Sequence, residues 1–320
     1  MNRKTALLPV ISLVLSMILW ASAFIATKLA FQVYDPMVVI FGRMAVGSLA
    51  SLVFFRAMKG NVWRKGDLKY LAFMILCEPC LYFLFEAKAL ENTSASQAGM
   101  ITAILPLMVA VAASVFLRER VTRKTLAGFI VAISGVVLLS TGGAPSEQAP
   151  HPAWGNFLEV LAMTCAAAYT VILKKLTERY RPFFLTALQA YAGSVFYLPV
   201  LLMPGTSLPT EIVPVPFFSI LYLGVFVTLG AYGLYNFGVS RVPASQASAF
   251  MNLIPVFTVF LGWLILGEKF TPHAVFGFVP GLCRRFLKPG PAFRNSRSTR
   301  TRPGTAGRHT APSPLKRTRF

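Results

Sequence analysis

Arg43, Glu78 and Glu86 are the residues best placed to do chemistry in this chain, because each interrupts a long apolar stretch. An ionisable group kept away from water is costly, and it marks a substrate path, a proton relay or a counter-ion. Glu78 lies eight residues into the stretch 70–90, which on a helix is ~12 Å deep and near the middle of a bilayer. Tyr82 follows one turn later on the same face, and Pro79 frees a backbone carbonyl beside them. Such a carboxylate suits proton coupling or the binding of an ammonium group; the plainer alternative is a protonated carboxyl bonded to a neighbouring helix. Arg43 and Glu86 stand ~10 Å and ~6 Å from the outer ends of their stretches. They are placed to meet, either as an ion pair that orients two helices or as part of a substrate site or outer gate.

Uncharged residues extend this set. Gln97, Gln246 and Asn252 are candidate polar contacts in a cavity, and Trp20, Tyr169, Tyr235 and Asn236 are candidate wall residues, with packing or interface anchoring as the alternative for the aromatics. Pro106 and Pro255 should kink their helices and open backbone groups toward a cavity. Cys77 and Cys80 have the spacing of a thiol redox pair, but in an apolar helix they read as small hydrophobes. His151, His273 and His309 lie outside the apolar stretches and no ligand cluster surrounds them. Catalytic residues, metal and cofactor are therefore not expected, and the chain does not read as an enzyme.

The elements that position these residues follow from composition. With 55% hydrophobic and 13% charged residues, and a mean hydropathy of +0.62, the chain is too apolar for a soluble globule. Uncharged runs at 5–27, 92–117, 125–146, 182–210, 212–240 and 242–267, with lightly charged ones at 36–55, 70–90 and 156–173, predict nine membrane helices. The first carries a cleavage-like Ala21-Ser22-Ala23 but is read as a retained span. Sixteen Lys and Arg between Arg3 and Arg241 fall on the side that holds the N-terminus; only Lys28, Lys88 and Lys269 fall opposite. Basic loops stay cytoplasmic, so the N-terminus is expected inside and the partner surface is the lipid bilayer. The net charge of +20 does not argue for nucleic acid, because 11 of the 31 Lys and Arg lie after Cys283.

The chain also repeats itself. ASQAGMITAILPLMVAVAASVFLRERVT from Ala95 and ASQASAFMNLIPVFTVFLGWLILGEKFT from Ala244 align without a gap at an offset of 149, pairing Pro106 with Pro255 and Glu119 with Glu268. A unit of five helices is odd, so the second copy enters the membrane from the opposite side. Inverted repeats place a substrate site at the interface of the halves and move it by alternating access.

WASAFIATKLAFQVYDPMVVIFGRMAVGSLASLVFF from Trp20, EAKALENTSASQAGMITAILPLMVAVAASVFLRERVT from Glu86 and GNFLEVLAMTCAAAYTVILKKL from Gly155 resemble EamA-type members of the drug/metabolite transporter superfamily. The resemblance implies a ten-helix inner-membrane carrier of two inverted five-helix units, often an exporter of amino acids or related small molecules. The expected organisation is a first repeat at 1–141, an external linker at 142–154, a second repeat at 155–283 and a disordered basic tail at 284–320. At the repeat offset Gly135 corresponds to Arg284, and the run 274–283 holds Pro280 and is too short to cross a bilayer. Helix 10 is thus expected to be lost, leaving nine spans. A reading-frame change after Val279 is favoured over a native lipid-binding tail; a remnant that does not transport, or a membrane interaction protein, is the alternative function.

Overall fold

The computed structural model describes residues 3–54, 66–119 and 149–268, with residues 127, 130, 134 and 145–147 between them. The expected fifth helix at 125–146 lies largely, and the expected break and tail from 269 onward wholly, outside the described residues; of the expected linker at 142–154, residues 142–144 and 148 lie outside them. Eight helices follow one another: α1 (Arg3–Phe31), α2 (Pro36–Ser51), α3 (Leu68–Asn92), α4 (Ala95–Phe116), α5 (Pro152–Leu176), α6 (Pro182–Leu202), α7 (Pro214–Arg241) and α8 (Ala244–Leu266). Seven are long and apolar enough to cross a membrane, and α2 is the shorter one. The described residues are helical with no strand, and the seven apolar spans make the chain a multi-pass membrane protein. α5 begins at Pro152, within the segment 142–154.

Local chemistry explains these boundaries. Pro36, Pro152, Pro182 and Pro214 open their helices, where the missing N–H would have had no partner. Asp35 caps α2 by accepting from the Met37 N–H at 2.8 Å, and Ser94 caps α4 by accepting from the Gln97 N–H at 3.1 Å. Gly267 ends α8 with φ +65°, a left-handed conformation that suits glycine. At the far end of α7, Lys174 Nζ donates to the Val239 and Val242 carbonyls, at 2.8 Å each.

Two helix pairs carry interruptions at matching places. α3 widens to a π turn over Leu76–Leu81 and α7 over Leu223–Ala231, ranges that overlap at the repeat offset. α4 and α8 tighten to 3₁₀ turns over Thr102–Ile104 and Phe250–Asn252, just ahead of Pro106 and Pro255. In a bilayer every freed backbone group needs an internal partner. For α3 that partner is α6: Gln189 Nε2 donates to the Glu78 carbonyl at 3.0 Å, and the Tyr197 hydroxyl reaches the Pro79 carbonyl at 3.3 Å and also the Cys80 carbonyl.

Close approach between helices relies on small residues. A Cβ on Gly224 of α7 would fall 2.5 Å from Val46 of α2, so the two backbones cross at a distance that only glycine permits there. α3 and α5 run antiparallel. Gly155 sits against Thr93 and Ala89 at one end, while Lys175 Nζ lies 4.0 Å from the Tyr70 ring centre and Arg179 bonds Asp67 at 2.6 Å at the other. Large apolar side chains such as Leu15, Val195, Phe226 and Trp263 remain exposed on the outside, where lipid covers them.

Candidate functional site

A partly open cavity lies among α1, α2, α3, α4, α5, α7 and α8. Four pairs of its wall residues are separated by 149 positions: Trp20 and Tyr169, Phe83 and Tyr232, Thr102 and Met251, Leu105 and Ile254. Corresponding positions of the two halves therefore face one space. Glu78 lies in the wall at 4% exposure, and its Oε1 accepts a hydrogen bond from the Tyr232 hydroxyl. Glu78 can face the cavity because the π turn breaks the helix at that residue, whose φ of −151° and ψ of 116° are extended.

Arg43 is buried on the same wall. Its guanidinium sits 4.3 Å from the Phe83 ring centre, its Nε donates to Thr228 Oγ1 at 3.4 Å, and its Nη1 lies 3.9 Å from Glu86 Oε2. Glu86 in turn accepts from the Tyr82 hydroxyl at 2.6 Å. The structure thus brings Arg43, Tyr82 and Glu86 into one chain of polar contacts beside Glu78. Part of the wall is aromatic: Trp20 packs at 5.1 Å on Tyr232 and at 4.8 Å on Tyr235. Tyr169 lines the cavity and donates to Asn236 Oδ1 at 2.6 Å, while Asn236 donates to Thr186 at 2.9 Å. Tyr235 and Asn236 are fully buried just behind the wall.

Three expected contacts stand elsewhere. Gln97 accepts from Thr93 Oγ1 at 2.9 Å at the start of α4, Gln246 is exposed at the start of α8, and Asn252 Nδ2 bonds back to the Ala249 carbonyl at 3.0 Å. None of the three is a wall residue. Each sits on the first turns or the 3₁₀ turn of its helix, where an amide side chain satisfies local backbone or its neighbours instead of reaching inward. Pro106 and Pro255 are buried directly after the 3₁₀ turns.

Sequence reasoning did not single out Tyr232, which lines the cavity, nor Gln189 and Glu159, which are buried outside its lining. Tyr232 shares a helical face with Tyr235 and Asn236 through i, i+3 and i+4 spacing, and that pattern was the available signal. Glu159 is 0% exposed, one turn ahead of the wall residue Met163. The repeat markers Glu119 and Glu268 also acquire a place. Glu268 accepts from the N–H groups of Ala95 and Ser96 at 3.0 and 3.1 Å. Glu119 accepts from those of Ala244 and Ser245 at 3.1 and 3.3 Å, and from the Ser245 hydroxyl. Each carboxylate past the end of one helix caps the start of the other, so α4 and α8 run antiparallel with exchanged caps.

Residues 7–141 and 153–284 match the EamA-like transporter family. The chain is 30% identical over 286 residues to the S-adenosylmethionine/S-adenosylhomocysteine transporter of Chlamydia trachomatis, covering 84% of this chain and 86% of that protein. It is 27% identical over 271 residues to a Streptantibioticus cattleyicolor protein named "Probable terminal-alkyne amino-acid exporter", covering 85% and 90%. Over 182 residues it is 31% identical to the "Uncharacterized transporter YetK" of Bacillus subtilis, and there it spans about half of that relative, 55% of its length. A protein known from a crystal structure shares the fold with a TM-score of 0.64 at 18% identity, over 85% of this chain and 96% of that one. With two matched segments that together take in most of its length, the chain belongs to the EamA-like transporter family.

Proposed function

We propose that the chain is a secondary carrier that exports small metabolites carrying an ammonium group, amino acids or compounds built on them, by alternating access of two inverted units. The observation that carries this reading is Glu78: a buried carboxylate in a cavity wall otherwise made largely of rings and apolar side chains. Carboxylate and ring faces together suit a cationic head on a small organic body. Opening and closing by a rocking of halves is supported by the four cavity pairs at the repeat offset and by the exchanged caps of Glu119 and Glu268, which a two-fold relation between antiparallel units would produce. The names of two relatives, an amino-acid exporter and a transporter of S-adenosylmethionine, point to the same substrate chemistry. Arg43 and Glu86 are assigned to orienting α2 and α3 at the cavity wall.

The test is flux. Full-length protein in lipid vesicles preloaded with unlabelled amino acids should take up radiolabelled ones by counterflow, saturably and above empty vesicles. No counterflow across the common amino acids and S-adenosylmethionine would overturn the carrier reading and leave a chain that does not transport.

A further inference from the structure

Glu159 has a different environment from the two carboxylates in the cavity wall, Glu78 and Glu86. Glu78 has the Tyr232 hydroxyl, and Glu86 has Tyr82 and Arg43. Both carboxylate oxygens of Glu159 are buried with no hydrogen-bond partner among the described residues. Its titratable neighbours on α3 are Glu86 and Tyr82, and Glu86 repels it. Among the described residues, the other helices packed on α5 offer no countercharge there. α4 and α8 contain no ionisable side chain; α7 presents the hydroxyls of Tyr232 and Tyr235, committed to Glu78 and Thr170, and its Arg241 lies at the far end beside Lys174. Along α5 itself Cys165 and Tyr169 are neutral, and Lys174 and Lys175 lie four turns away.

A carboxylate without donor or countercharge in an apolar interior does not stay ionised; it takes up a proton, which needs no extra room. We propose that Glu159 is the proton site of the carrier, binding H⁺ as its ligand in the closed state and releasing it when the halves move and water reaches α5. The consequence for the cavity is electrostatic. Releasing the proton places a second negative charge beside Glu86 and so bears on the Arg43–Glu86–Tyr82 chain through Glu86. The inference rests on the carrier reading for its coupling role only; the proton itself is a property of the folded chain. It separates two tasks between carboxylates, with Glu78 for the ammonium group of the substrate and Glu159 for the coupling ion.

Two measurements distinguish the failures. Infrared spectra of the purified full-length protein near neutral pH, in light and heavy water, should show a protonated carboxylic-acid band that Glu159→Gln removes and Glu159→Asp retains at a shifted position. In vesicles, Glu159→Gln should lower accumulation driven by a pH gradient roughly tenfold more than it lowers counterflow, with Glu159→Asp recovering the difference. A monodisperse Glu159→Gln protein whose carboxylic-acid bands match wild type overturns the proton site, whether or not the protein transports. Loss of the band without any flux in wild type upholds the proton site and overturns the carrier. Loss of the band with equal effects on driven and exchange flux overturns the coupling role, because a structural residue would lower both alike.

Discussion

Glu78 and Tyr232 lie 154 residues apart and share one hydrogen bond at the cavity wall. Removing the hydroxyl leaves a buried acceptor without its donor, which costs about 1–3 kcal/mol. Tyr232→Phe should therefore change the apparent affinity for the amine substrate by about tenfold, through the carboxylate that binds it. Glu78→Gln removes the charge itself and should lower counterflow at least as much, whereas Cys77→Ala, one residue earlier and facing the core, should stay near wild type. Counterflow measured over a range of substrate concentrations checks all three. Normal transport by Glu78→Gln would show that the carboxylate is structural.

Helix ends and helix crossings set the next scale. Each of Glu119 and Glu268 holds backbone N–H groups at the start of the helix from the other half. Loss of a cap costs about 1 kcal/mol, so Glu119→Ala and Glu268→Ala should each lower the thermal midpoint in detergent by a few degrees. The two changes should be nearly additive if the caps act independently; a double variant no worse than either single one would argue that one cap alone secures the pair. Gly224→Ala tests the crossing of α2 and α7. Its added methyl meets Val46 at 2.5 Å, and relieving that overlap should cost about 1–3 kcal/mol in the same melting experiment.

For the whole molecule, orientation in the membrane remains the sequence-based expectation: N-terminus inside, from sixteen basic residues against three. Ser207, exposed in the connection between α6 and α7, should then lie outside, and Gly66, exposed before α3, inside. With Cys283 replaced by serine, Ser207→Cys should react with an impermeant thiol reagent on intact cells and Gly66→Cys only after permeabilisation. The reverse pattern would invert the topology and, with it, the direction assigned to transport.

Much of the fold was legible from the chain alone because its signals are local or periodic. Apolar runs of about bilayer length marked the helices, and prolines and an Asp or Ser marked several of their starts. The offset of 149 marked the duplication, and Trp20 and Tyr169, each named from the sequence as a candidate wall residue without reference to it, stand at that offset and line one cavity. Arg43, Glu78, Tyr82 and Glu86 were visible as costly polar groups in apolar sequence. What such signals cannot carry is which buried group meets which. Gln189 reaches the Glu78 carbonyl across 111 residues, Glu268 reaches Ala95 across 173, and Glu159 is left without a donor although its own helix looks ordinary. Hydrophobicity and helical period are properties of a segment, whereas the partner of a buried donor or charge depends on how separate segments rotate and cross, and that was decided only by packing in three dimensions.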